Sequence, residues 1–247
     1  MKFNYNLIIE YDGSKFIGWQ SQKKGNSVQT EIQKTLKKLL KDKIKLIGSG
    51  RTDTGVHALQ QNANFFTSKK INDKNKFINS LNFFLQNKRI SILDLKRKNL
   101  NFHARFSAKK RIYQYIILNR LGSLALDRNK AWHIKKKLNL VVLKKGAKFL
   151  EGKHDFSTFR ASTCGAKSPI KTISKIDVKV VEGKTYLIFE SQSFLQQQVR
   201  SMVGCLKYLG EEKWSLNKFK EVVKSKKRSM CAPPAPACGL YLKKVKY

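Results

Sequence analysis

Along this chain the apolar pattern changes period in one order and then repeats that order, which few folds accommodate. Residues 3–11 (FNYNLIIEY) are aromatic-rich and partly alternating, and they run into Asp12-Gly13, so a strand and a turn are expected. Ser27 is placed to cap a helix in which Val28, Ile32, Leu36, Leu39 and Leu40 share one face. A short strand is expected at 44–47, then a glycine-rich loop, then alternation over 59–67 with Leu59, Gln61, Ala63 and Phe65 on one side. Helical spacing returns over 74–85 through Phe77, Ile78, Leu81 and Leu85, and 89–95 reads as another strand. This is β-α-β-β-α-β, the split βαβ arrangement.

The second half runs through the same series. It reads as a strand at 111–118, a helix at 139–150, strands at 172–181 and 184–190 joined at Glu182-Gly183, and a helix capped by Ser193 that carries Leu195, Val199, Met202, Val203 and Leu206. A further helix around 216–223 precedes the stiff segment APPAPA at 232–237, and a last strand is expected at 239–245. The fold class expected is α+β: two ferredoxin-like halves, residues 1–105 and 106–247, forming a mostly antiparallel sheet with helices on one side. The active-site cleft is expected between the halves, where ligands bind in such arrangements. With 247 residues, 41% of them hydrophobic, the chain is long and apolar enough to bury a core.

Charge narrows the partner. The formal net charge is +36, which calls for a polyanion. Only ten of the 52 basic residues are arginines, and where planar, two-pronged contact to phosphate or carboxylate is needed a lysine substitutes poorly. Each arginine is therefore informative. Cys164, Cys205, Cys231 and Cys238 form no C-x-x-C pair and fit neither a zinc site nor a disulfide framework, so reduced thiols are expected. There is no signal peptide pattern and no apolar run near the ~20 residues of a membrane span; a soluble intracellular protein is expected.

The stretch GSGRTDTGVHA at 48–58 sets one carboxylate, Asp53, two residues from Arg51 and between glycines. Glycines there serve positive φ or close approach. No Lys-Ser/Thr follows, so this is not a Walker loop, and a strand rather than a helix comes next, so the dinucleotide fingerprint fails as well. The nearest acids in sequence are Asp42 and Asp73, which supports neither a two-carboxylate glycosidase nor a magnesium site of clustered acids. Two readings stay open. Asp53 caps its own turn by accepting the Gly55 amide. Alternatively, an arginine holds it ionised, below the ordinary carboxylate range, as suits a nucleophile or base.

GRTDTGVHA resembles the active-site motif of the TruA family of pseudouridine synthases, which act on transfer RNA. YDGSKFIGWQSQ at 11–22, SVQTEI at 27–32 and FHARFSAKKRIYQYII at 102–117 resemble further family blocks, as do HDFSTFRAS, FLQQQVRSMVG and APPAPACGLYL, in the family's order over essentially the whole chain. The resemblance implies that Asp53 is the catalytic nucleophile in a reaction that detaches uracil from ribose, turns it and rejoins it through C5. The target base must leave its stack, at a cost of a few kcal/mol. No metal or redox cofactor is implied.

Tyr113, the first tyrosine in Arg111-x-Tyr113-x-Tyr115, is implied to stack on that base, an interaction worth about 1–3 kcal/mol; read from residues alone, it and Tyr115 share a strand face and can both be core. The resemblance makes Arg200 the basic partner of the carboxylate and turns Arg51 to the RNA, while residue types alone let either arginine pair with Asp53. Gln196 and Gln197 stand where the family often has histidines, a departure that touches substrate fit. Arg105, Arg111, Arg160 and Lys167 are candidates for phosphate contacts, which position a nucleic acid without reading it. His57, His103, His133 and His154 lack triad spacing and are read as packing or RNA contacts. The resemblance further implies a homodimer gripping one tRNA, targets at tRNA positions 38 to 40 in the anticodon arm, and a cytoplasmic protein. Two other readings compete: a non-catalytic RNA-binding or RNA-chaperone protein, and a metal-dependent nuclease or phosphotransferase.

Overall fold

In the computed structural model, which describes residues 1–22 and 25–247, the first strand is buried along nearly its whole length and organises everything around it. This strand, β1 (Phe3–Tyr11), lies antiparallel between β3 (His57–Thr67) and β4 (Ile90–Lys98). Its Leu7 and Ile9, with Ala63 and Phe65 of β3, are fully buried. Between the strands run α1 (Val28–Leu40) and α2 (Lys74–Leu85), so the expected β-α-β-β-α-β order is present. Both helices start where a side chain can take an orphan amide: Ser27 accepts from Thr30 N–H, and Asp73 from Lys76 N–H. Val28, Ile32 and Leu36 of α1 are fully buried, each contributing about 1.5–3 kcal/mol.

The strand expected at 44–47 shrinks to β2 (Ile47–Gly48), opposite Asn64 and Ala63. The reason lies in α1: Leu46 donates its N–H to Gln33 Oε1 and its carbonyl accepts from Gln29 Nε2, so its backbone is satisfied without a neighbouring strand. A short β2 leaves the rest of that β3 edge open. At its start, His57 and Ala58 pair in parallel with Tyr241 and Leu242 of β10 (Leu240–Lys246). By its internal contacts the chain divides into Met1–Lys109 with Tyr241–Tyr247, and Lys110–Leu240, so all of the last strand but Leu240 belongs with the first unit.

In the second unit β5 (Lys110–Asn119), β9 (Lys184–Ser191), β8 (Ile170–Val181) and β7 (Gly152–Asp155) pair antiparallel in that order, and β6 (Trp132–Ile134) runs parallel to β5. β6 and β7 add to the expected order; with three and four residues they are too short to show a period. The β8–β9 connection is the expected tight hairpin, with positive φ at both Glu182 (50°) and Gly183 (73°), as a type I′ turn requires. Three helices complete the unit: α3 (Leu140–Phe149), α4 (Gln198–Gly210) and α5 (Leu216–Lys224).

Ser193 does not cap α4. Gln197 sits in the left-handed region (φ 61°), which a right-handed helix cannot include, so the helix starts at Gln198, and Leu195 N–H turns back to Gln198 Oε1. Val199, Met202, Val203 and Leu206 are buried as expected, and Leu195 is buried outside the helix. At Gly204 a Cβ would stand 2.1 Å from the Pro233 carbonyl oxygen, so the helix backbone lies directly against the proline segment. Among the described residues, no helix is long and apolar enough to cross a membrane.

Candidate active site

Asp53 sits on a turn whose every flank is tied down. Val56 N–H bonds the Asp53 carbonyl at 3.1 Å and Gly55, third in the turn, has φ 77°, the positive value a type II turn needs there. Segment 11–20 grips this turn through backbone and hydroxyls. Trp19 N–H donates to the Thr52 carbonyl (3.1 Å), the Thr54 hydroxyl donates to the Ile17 carbonyl (3.0 Å), and the Tyr11 and Thr52 hydroxyls are 2.8 Å apart. From the other side Gln61 of β3 accepts from the Ser49 hydroxyl (2.6 Å) and donates to the Gly50 carbonyl (2.9 Å).

Two glycines permit the close approach. A Cβ on Gly13 would lie 2.0 Å from the Val56 carbonyl oxygen. One on Gly18, whose φ is already 112°, would lie 2.5 Å from that of Thr52. The backbone under Asp53 is therefore fixed, while the residue itself remains partly exposed.

The Gly55 amide has a backbone partner: its N–H donates to the Phe16 carbonyl at 3.3 Å. Arg51 is exposed, with its Nε on Gln20 Oε1 at 3.1 Å.

Tyr113 and Tyr115 lie on the same strand and have different surroundings. Tyr115 is fully buried; its hydroxyl donates to the Pro236 carbonyl at 2.7 Å, and a Cβ on Gly239 would meet its ring at 2.6 Å. Burial pushes its phenol well above the ordinary value, so it stays a protonated donor. Tyr113, 8% exposed, is held edge-on by Phe194 with ring centroids 5.3 Å apart at 89°.

The second unit's arginines are tied to carbonyls. Arg200, in the first turn of α4, donates Nε to the Ala235 carbonyl (2.8 Å), and Ala235 N–H returns a bond to the Arg200 carbonyl (3.0 Å). Arg160 closes its own loop through the Cys164 and Ala166 carbonyls, and Arg111 bonds the Gln192 carbonyl. Arg105, in the first unit, is exposed with its guanidinium over the Phe106 ring, and Lys167 is exposed.

Three histidines are structural. His57 is buried, accepts Gly13 N–H at Nδ1 and stacks on Tyr241, while His133 and His154 donate Nε2–H to the carbonyls of Arg120 and Glu151. Among the described residues no group of three or more His, Cys, Asp or Glu is placed to hold a metal. The four thiols are free, with Cys205 and Cys231 sulfurs 3.5 Å apart.

Sequence reasoning passed over Gly13, Gly18 and Trp19 as parts of the site, although they lie in the quoted YDGSKFIGWQ block; two glycines spaced around an aromatic were the available signal. It also missed Phe194 as the ring behind Tyr113, where FLQQQVR offers a single aromatic.

The model of the family described as tRNA pseudouridine synthase matches residues 7–107 and again 147–247. The chain belongs to the tRNA pseudouridine synthase family. The enzyme named tRNA pseudouridine synthase A of Pelagibacter ubique is 58% identical over 245 residues, covering 99% of this chain and 100% of that one. Those of Paramagnetospirillum magneticum and Parvibaculum lavamentivorans are 43% and 41% identical, each over 98% of this chain. The double match to one pseudouridine synthase model agrees with the repeated period pattern. Synthases of this kind are isomerases: substrate and product contain the same atoms, so no co-substrate is consumed.

Proposed function

We propose that this protein isomerises uridine to pseudouridine in the anticodon arm of tRNA, at positions 38 to 40, with Asp53 as nucleophile. The observation that carries the reading is the Asp53 turn itself. Its backbone is fixed from both sides, by segment 11–20 and by Gln61, and Asp53 itself is partly exposed on it. A nucleophile held in one place avoids the entropy of finding its target. The target base enters out of its stack, and Tyr113, its ring set by Phe194, is the stacking residue.

Arg200 is the basic residue acting with Asp53, while exposed Arg51 faces the RNA. Arg105, Arg111 and Lys167 contact phosphates; for Arg160, whose Nη2 holds two carbonyls, the contribution to RNA is mainly the shape of its loop. The active species is a homodimer that grips one tRNA, and it works in the cytoplasm.

The test is to map pseudouridine in total tRNA from a host lacking its own enzyme. Expression of this protein restores the modification in the anticodon arm, and expression of Asp53→Asn does not. Restoration by Asp53→Asn, or modification confined to other positions, overturns the proposal. Light scattering with and without tRNA checks the dimer.

A further inference from the structure

One aromatic ring outside the Asp53 turn is turned out to solvent. Phe106 is 76% exposed, its ring stacked on His103 at 4.4 Å and 29°, with the Arg105 guanidinium 5.5 Å above it. Left in water, that ring gains nothing for folding, yet its backbone is held firmly. Ala104, at the centre of the segment, gives its N–H to Asn64 Oδ1 of β3 (2.9 Å) and its carbonyl to the Tyr247 hydroxyl (3.0 Å). His103 Nδ1 accepts the amides of both Arg105 and Phe106, at 3.2 and 3.3 Å, so the imidazole plane is fixed and its proton sits on Nε2.

We propose that the His103–Phe106 pair, roofed by Arg105, is a stacking platform for a tRNA base other than the one being isomerised. An exposed ring backed by a half-buried imidazole and beside a guanidinium matches a nucleobase, whose face stacks on aromatics and on arginine whatever its sequence. Charge selects RNA over a protein partner: no acidic residue occurs between Asp94 and Asp127, a stretch that includes Lys96, Arg97, Lys98, Arg105 and Lys109. The base being isomerised is the one proposed above to lie on Tyr113, so the base on the platform is a second one. A second base held there fixes the register of the arm, and so which uridine arrives at Asp53.

This inference rests on the tRNA reading above, and the experiment separates the two. Affinity for an anticodon-arm RNA, KM and kcat are measured for the wild type and for Phe106→Ala, Phe106→Leu and Phe106→Trp. The platform predicts a rise in Kd and KM of roughly five- to a hundredfold for Ala and Leu, equal at low and high salt, with kcat at saturation little changed. Trp should restore affinity, and its fluorescence, taken as the difference from wild type, should be quenched by the RNA. Unchanged affinity in Phe106→Ala, or full rescue by Leu, overturns the platform. So does a loss of dimerisation with RNA affinity intact, which would make Phe106 a contact between copies. A wild type that binds this RNA without forming pseudouridine overturns the functional reading instead and leaves the platform to stand on binding alone.

Discussion

The Asp53 turn and the 103–106 segment both present one exposed group on a clamped backbone, but they are clamped differently. The turn is closed by shape. Gly13 and Gly18 admit no Cβ against the Val56 and Thr52 carbonyls, and hydrogen bonds from Trp19, Thr54 and Gln61 leave it one conformation. The 103–106 segment is held by side chains, chiefly Asn64 and Tyr247. The proposed roles fit this difference: a nucleophile has to be within bonding distance of one atom, which steric support secures, whereas a stacking ring tolerates a few tenths of an ångström, for which polar tethers are enough.

If that difference is real, damage to each support should read out differently. The largest effect is expected from Gly18→Ala. At φ 112° and with the Thr52 oxygen 2.5 Å from the new carbon, the turn must shift. We expect about 1–3 kcal/mol of lost stability and a fall in kcat on the order of a hundredfold, with KM nearly unchanged, in denaturant titration and steady-state assays. A KM effect alone would erase the distinction.

Asn64→Ala attacks the other support. It leaves the Ala104 amide unpaired and also removes a bond to Asn4 Oδ1, for an expected cost of about 1–3 kcal/mol, but here KM should rise while kcat holds. Smaller still is Tyr115→Phe, which orphans the Pro236 carbonyl and should cost about 1 kcal/mol without a kinetic change, whereas Tyr113 substitutions should act on catalysis.

The smallest effect is expected at Asp12, which caps the turn leading into Gly13 and pairs with the half-exposed Arg89. Burial raises its pKa, but the Ser14 amide and hydroxyl and Arg89 outweigh that and lower it below the ordinary 3.8. A lowered carboxyl stabilises the fold above its unfolded value and loses that contribution as pH falls through the folded one. Asp12→Asn should thus cost under about 1 kcal/mol at neutral pH and nothing in strong acid, read from melting curves against pH. A difference that persists in acid would place the effect elsewhere than in the charge.

How far the sequence anticipates this depends on what holds each part. Helices α1 and α2 and strands β1, β3 and β4 are visible because one apolar face repeats and Ser27 marks the first helix start. β6 and β7 are not, since three or four residues cannot establish a period. The end of β2 is hidden because Gln29 and Gln33, from a helix ten or more residues earlier, decide it. The late start of α4 turns on a single left-handed residue, Gln197, that no glycine announces. At the site, Asp53 stands out by its glycines and by resemblance. Its supports do not, because Gly13, Gly18 and Gln61 matter only through contacts with residues far along the chain.

The central claim is that a fixed Asp53 carboxylate does the chemistry. Tritium release from tRNA labelled at uridine C5, followed under single turnover with wild type and Asp53→Asn and paired with Kd for the same RNA, tests it most directly. The account predicts a loss of on the order of a thousandfold or more in release with RNA affinity within about twofold. Release at the wild-type rate from Asp53→Asn would contradict it.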